Sequence, residues 1–261
     1  MIVIESGFTG TTYPLTNPRI AAYPITGTVT ASTAAAGFAG DNANNELTYT
    51  AWKPTAVPAT WQLSFTSTVV SYCAIAAHNI GSTGGTVQVQ EYLAGTFTQL
   101  DTHTPTDDSP IVFLFAGRTT DRIRVRVTNA IPTIGVIWFG AALELPQKSQ
   151  WIDSLPFNEA VTSVYTENVS DGGHVMDRFA TRKAGTCAME VRNVSETWAA
   201  ANIPALQAHM GALPIFMADR PSTYPKSVVY GSQQEPLTAP RVNVLNAART
   251  LNFNVIANEP A

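Results

Sequence analysis

A chain of 261 residues suits one large domain or two ordinary ones, and either can bury a real core. Hydrophobic residues make up 45% but charged residues only 13%, against roughly 25% in an average soluble domain. The surface must then be covered by Thr, Ser, Asn, Gln and Ala, as in an extracellular module or a subunit packed among others. The net charge of −4 leaves no basic footprint, so no nucleic-acid partner is expected.

In chain order, the N-terminus "MIVIESGF" has no basic n-region and reads as something other than a signal peptide. The first part then reads as all-β, with strands over 60–65, 69–77, 86–92, 111–115, 122–128 and 134–144. The clearest is "DRIRVRV", where Ile123, Val125 and Val127 alternate with Arg122, Arg124 and Arg126, a period of two with one buried face. "GSTGG" (81–85), "TPTDDSP" (104–110) and "NAIP" (129–132) punctuate the runs, the spacing of a sandwich or jelly roll. The longest charge-free apolar stretch, 131–143, is too short to span a bilayer as a helix, so no membrane insertion is expected. "LELPQKSQWIDSLP" (143–156) interrupts the alternation and reads as a domain boundary, with Trp151 placed to pack the two parts together. This divides the chain into residues 1–146 and 147–261.

The second part offers strands over 160–167, 174–182 and 186–193. The period then changes. "SETWAAANIPALQAHMGA" (195–212) predicts one helical segment, with Ser195 as N-cap, Glu196 in the first turn, Pro204 as a kink or restart and Gly211 as C-cap. Trp198, Leu206 and Met210 can share its apolar face. Strands resume at 213–218, 227–230 and 241–256. Cys73 and Cys187 lie in apolar strand-like runs and read as buried thiols, which fits folding in a reducing cytoplasm. The sequons at Asn168 and Asn193 read as accidental without a secretory signal.

The residues offer no concentrated reactive cluster, and the chain is read as not an enzyme and as needing no cofactor. There is no G-x-S-x-G elbow. "GSTGG" lacks the Lys-Ser/Thr ending of a phosphate-binding loop and runs into a strand, so it reads as a hairpin turn. Asp107 and Asp108 are adjacent loop carboxylates, which do not make an acid–base pair. "DGGHVMD" supplies Asp171, His174 and Asp177, weak candidates for a metal site set against an ordinary hairpin. His78 ends a strand, as a ligand or base or as a cap bonded to a nearby loop.

The aromatic residues remain. Trp and Tyr near loop ends can stack on sugar faces or close a sandwich edge. Trp61 leads an alternating run and reads as core, as does Trp138. Trp52, between Ala51 and Lys53, stays open between core and contact. With Tyr49 and His78 it forms the set of carbohydrate-contact candidates.

Ordered segments carry a family resemblance. "TVTASTAAAGFAGDNANNEL" (28–47), "YTAW" (49–52), "ATWQLSF" (59–65), "VVSYCAIAAHNIGSTGGTVQVQEY" (69–92), "DRIRVRVT" (121–128) and "IGVIWFGAALEL" (134–145) resemble the discoidin-like, galactose-binding-like jelly roll. Residues 156–257, with "LPIFMADRPSTYP" and "TLNFNV", are similar to the distal tail or tail-tip proteins of tailed bacteriophages. The resemblance implies a mostly all-β chain: a jelly roll with an N-terminal arm, then a β-rich ring domain with one short helical segment. It further implies a structural subunit of a virion tail tip or baseplate, made in the host cytoplasm and forming a homo-oligomeric ring. Other tail proteins, and a host-surface glycan at the jelly roll, are the implied partners. The alternative is a carbohydrate-binding adhesin-type protein with no ring role. Some discoidin-like members bind calcium or sugar through acidic loop residues; these are not recognisable here, where "GDNANNE" supplies only Asp41 and Glu46.

Overall fold

Runs that the sequence divides prove continuous. The computed structural model describes residues 1–150, 156–243 and 248–260. The first strands are β1 (Ile2–Ile4), β2 (Arg19–Ala21), β3 (Thr28–Ala31), β4 (Ala59–His78), β5 (Thr86–Leu93) and β6 (Thr96–His103). Next come β7 (Ile111–Thr128), β8 (Ile134–Gly140), β9 (Leu143–Glu144) and β10 (Ser149–Gln150). A one-turn helix α1 (Phe157–Ala160) precedes β11 (Thr162–Val169) and β12 (Val175–Ser195), and helix α2 (Glu196–Met210) follows. The described chain closes with β13 (Ile215–Ala218), β14 (Val228–Gln233), β15 (Arg241–Asn243) and β16 (Ala248–Pro260). The fold is all-β apart from these short helices and a 3-10 turn at Gly40–Ala43.

The runs 60–65 and 69–77 are two halves of β4, and 111–115 and 122–128 are two halves of β7. Polar stretches at their centres read as breaks. The strands instead stay paired through register irregularities between Ser64 and Thr68 and between Val70 and Tyr72. These irregularities bend a ladder without ending it. Likewise 174–182 and 186–193 are one strand, β12. The run 134–144 ends at Gly140, before the separate β9. Among the described residues the unexpected strand β6 pairs only with β5; as an edge it carries mostly polar residues, so it lacks the apolar alternation that would reveal it.

Two sheets hold these strands, one of order β3-β4-β7-β5-β6 with β1 and β8 attached, the other of order β10-β12-β16-β14-β13-β2-β9 with β11 and β15 attached. The first folds over on itself into a sandwich. The N-terminal half of β4 lies with β3, β5 and the C-terminal half of β7. The C-terminal half of β4 lies with β8 and the N-terminal half of β7. Trp61, Leu63, Val87 and Val125 from one layer share a core with Ile75, Phe113 and Phe139 from the other.

The inner layer is buried on both faces. Cys73, Ile75 and Ile137 enter that sandwich core, whereas their neighbours Tyr72, Ala74 and Trp138 enter a second core with Ala21, Phe216 and Tyr230. The second sheet repeats the pattern. Phe216 and Tyr230 face the sandwich, and Met217 and Val229 face a third core beneath α2. Period-two alternation thus stacks three cores. Trp138 anchors the middle one, its ring near-perpendicular to Phe216 at 5.5 Å and to Tyr230 at 5.7 Å. Trp151, expected to join the two parts, lies outside the described residues.

Strand pairing does not follow a single cut at 146/147. β2 and β9, both before it, bond within the second sheet, with Ile20 opposite both Met217 and Leu143. β2 is too short to show any periodicity, which is why the sequence hides it.

In α2 the Ser195 side chain caps the helix by accepting from the Trp198 N–H at 3.3 Å. The helix runs through Pro204 without a break and buries Ala199, Ile203, Leu206 and Met210. These residues recur at spacings of three and four, and Trp198, partly buried, packs against the core that they enter. Gly211 takes the C-cap in a right-handed conformation. Both cysteines are buried, and burial pushes the Cys73 thiol well above its ordinary pKa. Among the described residues no helix is long and apolar enough to cross a membrane.

Candidate functional site

Loops at one end of the sandwich surround a cleft of about 260 Å³. Phe38, Tyr49, His78, Asn79 and Asp108 line it, with Thr48, Thr133 and Pro110 completing the wall. Each arrives on a fixed loop. Phe38 sits where the Lys53 N–H donates to its carbonyl at 3.3 Å and the Ala35 N–H donates to Lys53 at 2.8 Å. The Tyr49 loop is tied by Asn42, whose side chain donates to the Ala51 carbonyl at 3.1 Å, and by the Thr50 hydroxyl donating to the Asn42 carbonyl at 3.1 Å. Tyr49 itself is 82% exposed.

Trp52 lies beneath these loops and is fully buried. This corrects its place among the contact candidates: no face of the indole is open for stacking. Its backbone makes an isolated bridge to Ile134 in β8, and its indole N–H donates to the Thr33 carbonyl at 2.9 Å. Trp61 repeats the device, donating to the Gly40 carbonyl at 2.8 Å. Both tryptophans fill the core with their rings and tether a loop with their single polar atom.

His78 ends β4 with its ring buried. Nδ1 accepts from the Ile80 N–H at 3.2 Å, and Nε2 lies 3.0 Å from the Ser109 carbonyl, to which it must donate. Both bonds are satisfied only by the neutral Nε2–H tautomer. Burial lowers the pKa to about 4, against a smaller upward pull from Asp108. With both nitrogens engaged, His78 holds the 107–110 loop and is not free to act as a base. Asp108 accepts from the Ser82 N–H at 2.9 Å, and Asn79 accepts through Oδ1 from the Thr133 N–H at 2.6 Å. Gly81 lets the loops meet, since a Cβ there would lie 2.2 Å from the Asp107 carbonyl oxygen.

Two of the three contact candidates, Tyr49 and His78, therefore line one cleft. Sequence reasoning missed Phe38, Asn79 and Asp108. The lone aromatic in "AAAGFAG" and the "HN" step after a strand are the available signals for two of them; nothing local distinguishes Asp108 from its neighbour Asp107. "GSTGG" forms a turn between β4 and β5, but these strands both pair with β7 rather than with each other. The cleft offers an aromatic face, carboxylate and amide groups, and no nucleophile–base pair.

Asp171, His174 and Asp177 sit on the tip of the β11–β12 hairpin, all exposed. Gly173 takes φ +80° in the turn, and the Ser170 N–H donates to the His174 carbonyl at 2.9 Å. Asp177 stands opposite Asn168 in the ladder. The three do not converge, and among the described residues no group of three His, Cys, Asp or Glu could hold a metal ion. The hairpin itself is unusual in exposing Tyr165, Val169, Val175, Met176 and Phe179. Arg178 covers the Tyr165 ring at 4.2 Å and pairs with Glu167 at 3.1 Å.

No protein-family model matches the chain, and no curated protein matches it in sequence. Among solved structures, the chain is similar to chitosan-binding module 1 of a chitosanase/glucanase from Paenibacillus sp. IK-5, at 19% identity over 46% of this chain and 98% of that one, with a TM-score of 0.39. It is similar to the family 32 CBM of C. perfringens NanJ in complex with galactose, at 15% identity over 46% of this chain and 99% of that one, TM-score 0.41. It is also similar to SpGH29, at 17% identity over 47% of this chain and 28% of that one, TM-score 0.40.

Proposed function

We propose that this protein is a non-catalytic, galactose-binding-like glycan-recognition protein that takes a sugar in the Phe38–Tyr49–Asp108 cleft. The observation that carries this is Tyr49, a large aromatic side chain presented to solvent on the rim of a cleft with polar walls. An exposed ring offers a face for the C–H side of a sugar. The Asn79 amide and Asp108 carboxylate offer the hydrogen bonds that orient it. The neutral, buried His78 shapes the loop behind them. The test is glycan-array screening followed by calorimetry on the best ligand. Tyr49→Ala is expected to weaken binding about tenfold or more; unchanged affinity would reject the cleft as the site.

A second reading, that of a self-associating virion tail-tip subunit, is favoured by the β11–β12 hairpin. Its apolar side chains and free β11 edge are the kind of surface that a neighbouring copy or tail protein covers. Sedimentation over a wide concentration range tests it. Association that Met176→Ser with Phe179→Ser abolishes supports it, and a chain monomeric throughout rejects it.

A further inference from the structure

Two of the chain's four lysines, Lys183 and Lys226, line one groove of about 160 Å³ between the sandwich and the second sheet. Phe157, Val161 and Val228 form its apolar wall, and Ser109, Asn158 and Ser163 add polar groups. A neighbouring recess of about 100 Å³, which includes His103 and Thr104, shares Ser109, Asn158 and Lys226 with it.

Arg118 pairs with Glu5 and Glu91, and Arg249 with Glu196. Among the described residues neither Lys183 nor Lys226 is in an ion pair. Asp107, in the shared recess, is a counter-charge at the groove. Burial raises the Asp107 pKa, but hydrogen bonds from Ser109, then the N-terminal ammonium and Lys183, outweigh it and leave a net lowering. An oxyanion held in a partly enclosed space lined by two lysines gains from both charges. The serine hydroxyls and the Asn158 amide can donate to such an oxyanion.

The groove also adjoins the cleft described above. Pro110 lines both, and the 107–110 loop forms the ridge between them. We propose that the groove holds the carboxylate or sulfate substituent of an acidic glycan whose neighbouring sugar lies in the Tyr49 cleft. This rests on the glycan reading of that cleft.

The test is titration of the full chain at low and high salt with three probes: a galacturonate oligosaccharide, its neutral galactose counterpart, and sodium sulfate. The acidic oligosaccharide is expected to bind about tenfold or more tighter than the neutral one at low salt. Added salt should erase that preference, and so should Lys183→Gln with Lys226→Gln. The single variant Lys226→Gln, at an exposed position, serves if the double variant misfolds, and is expected to lose part of the preference. Equal affinity for the two oligosaccharides, or a preference that survives the lysine substitutions, overturns the inference. Binding of sulfate with no binding of the acidic oligosaccharide also overturns it, leaving only a small-anion site. The two readings separate through Tyr49→Ala. If that variant loses the neutral sugar and no acidic preference exists, the cleft reading stands and the groove inference fails. If the acidic probe binds and Tyr49→Ala changes nothing, the cleft reading fails, and with it the two-site arrangement.

Discussion

The β4–β8 ladder of the inner sandwich layer and the β11–β12 hairpin are both antiparallel and rich in apolar residues, yet they end in opposite environments. In β8 all seven residues are buried; in β11 none is. The difference lies in what covers them. The inner layer has a sheet on each side, so every alternating position finds a core. Beyond Arg182, where β12 leaves its pairing with β16, the hairpin continues as a two-stranded ribbon with no layer on either face, and such a ribbon is marginal alone in water. An apolar strand is therefore not by itself evidence of a core; the number of packed layers decides.

The largest expected effect tests the middle core. Trp138→Ala leaves a void among Phe216, Tyr230 and Tyr72, and should cost about 3–5 kcal/mol in denaturant unfolding. A loss below about 1 kcal/mol would mean that the two sheets contribute little to each other's stability.

Next is pH. His78 titrates near 4 in the folded chain and near 6.5 when unfolded. Below 6.5 the unfolded chain binds more protons, so the stability from neutral His78 is complete above pH 6.5 and is lost as pH falls through 4. The loss is about 2–4 kcal/mol. His78→Gln should flatten this part of the profile; the same fall between pH 7 and pH 4 in the variant would refute it.

A smaller effect is expected at Tyr72. Its buried hydroxyl has no hydrogen-bond partner among the described residues, so Tyr72→Phe should be neutral or stabilising by up to about 1 kcal/mol. A clear destabilisation would reveal a partner for that hydroxyl. The smallest effect is on the hairpin. Val175→Thr with Met176→Ser should change the chain's stability by less than about 0.5 kcal/mol. A larger loss in dilute protein would show that the ribbon packs on its own chain.

Much of the sandwich was legible because half-buried strands write their burial into alternation: Trp61, Leu63, Ile123 and Val125 declare their faces, and Ser195 declares the start of α2. The cleft was legible only in part. Tyr49 and His78 stand out as residue types, but Asn79 and Asp108 acquire a role only when the 78–81 and 107–110 loops meet. Lys183 and Lys226 are 43 positions apart in the chain, and no local pattern pairs them.

By itself, then, the sequence determined the all-β class, the helix after Ser195 and which faces of the long strands are apolar, because these depend on nearest neighbours and period-two geometry. Only the tertiary structure decided that β4 and β7 are continuous, that β2 joins the far sheet and that Trp52 is buried beneath its loop. It also decided that Tyr165, Val169, Val175, Met176 and Phe179 of the β11–β12 hairpin face solvent. Those outcomes depend on which surfaces meet across the chain, and contact between distant segments leaves no local period to read.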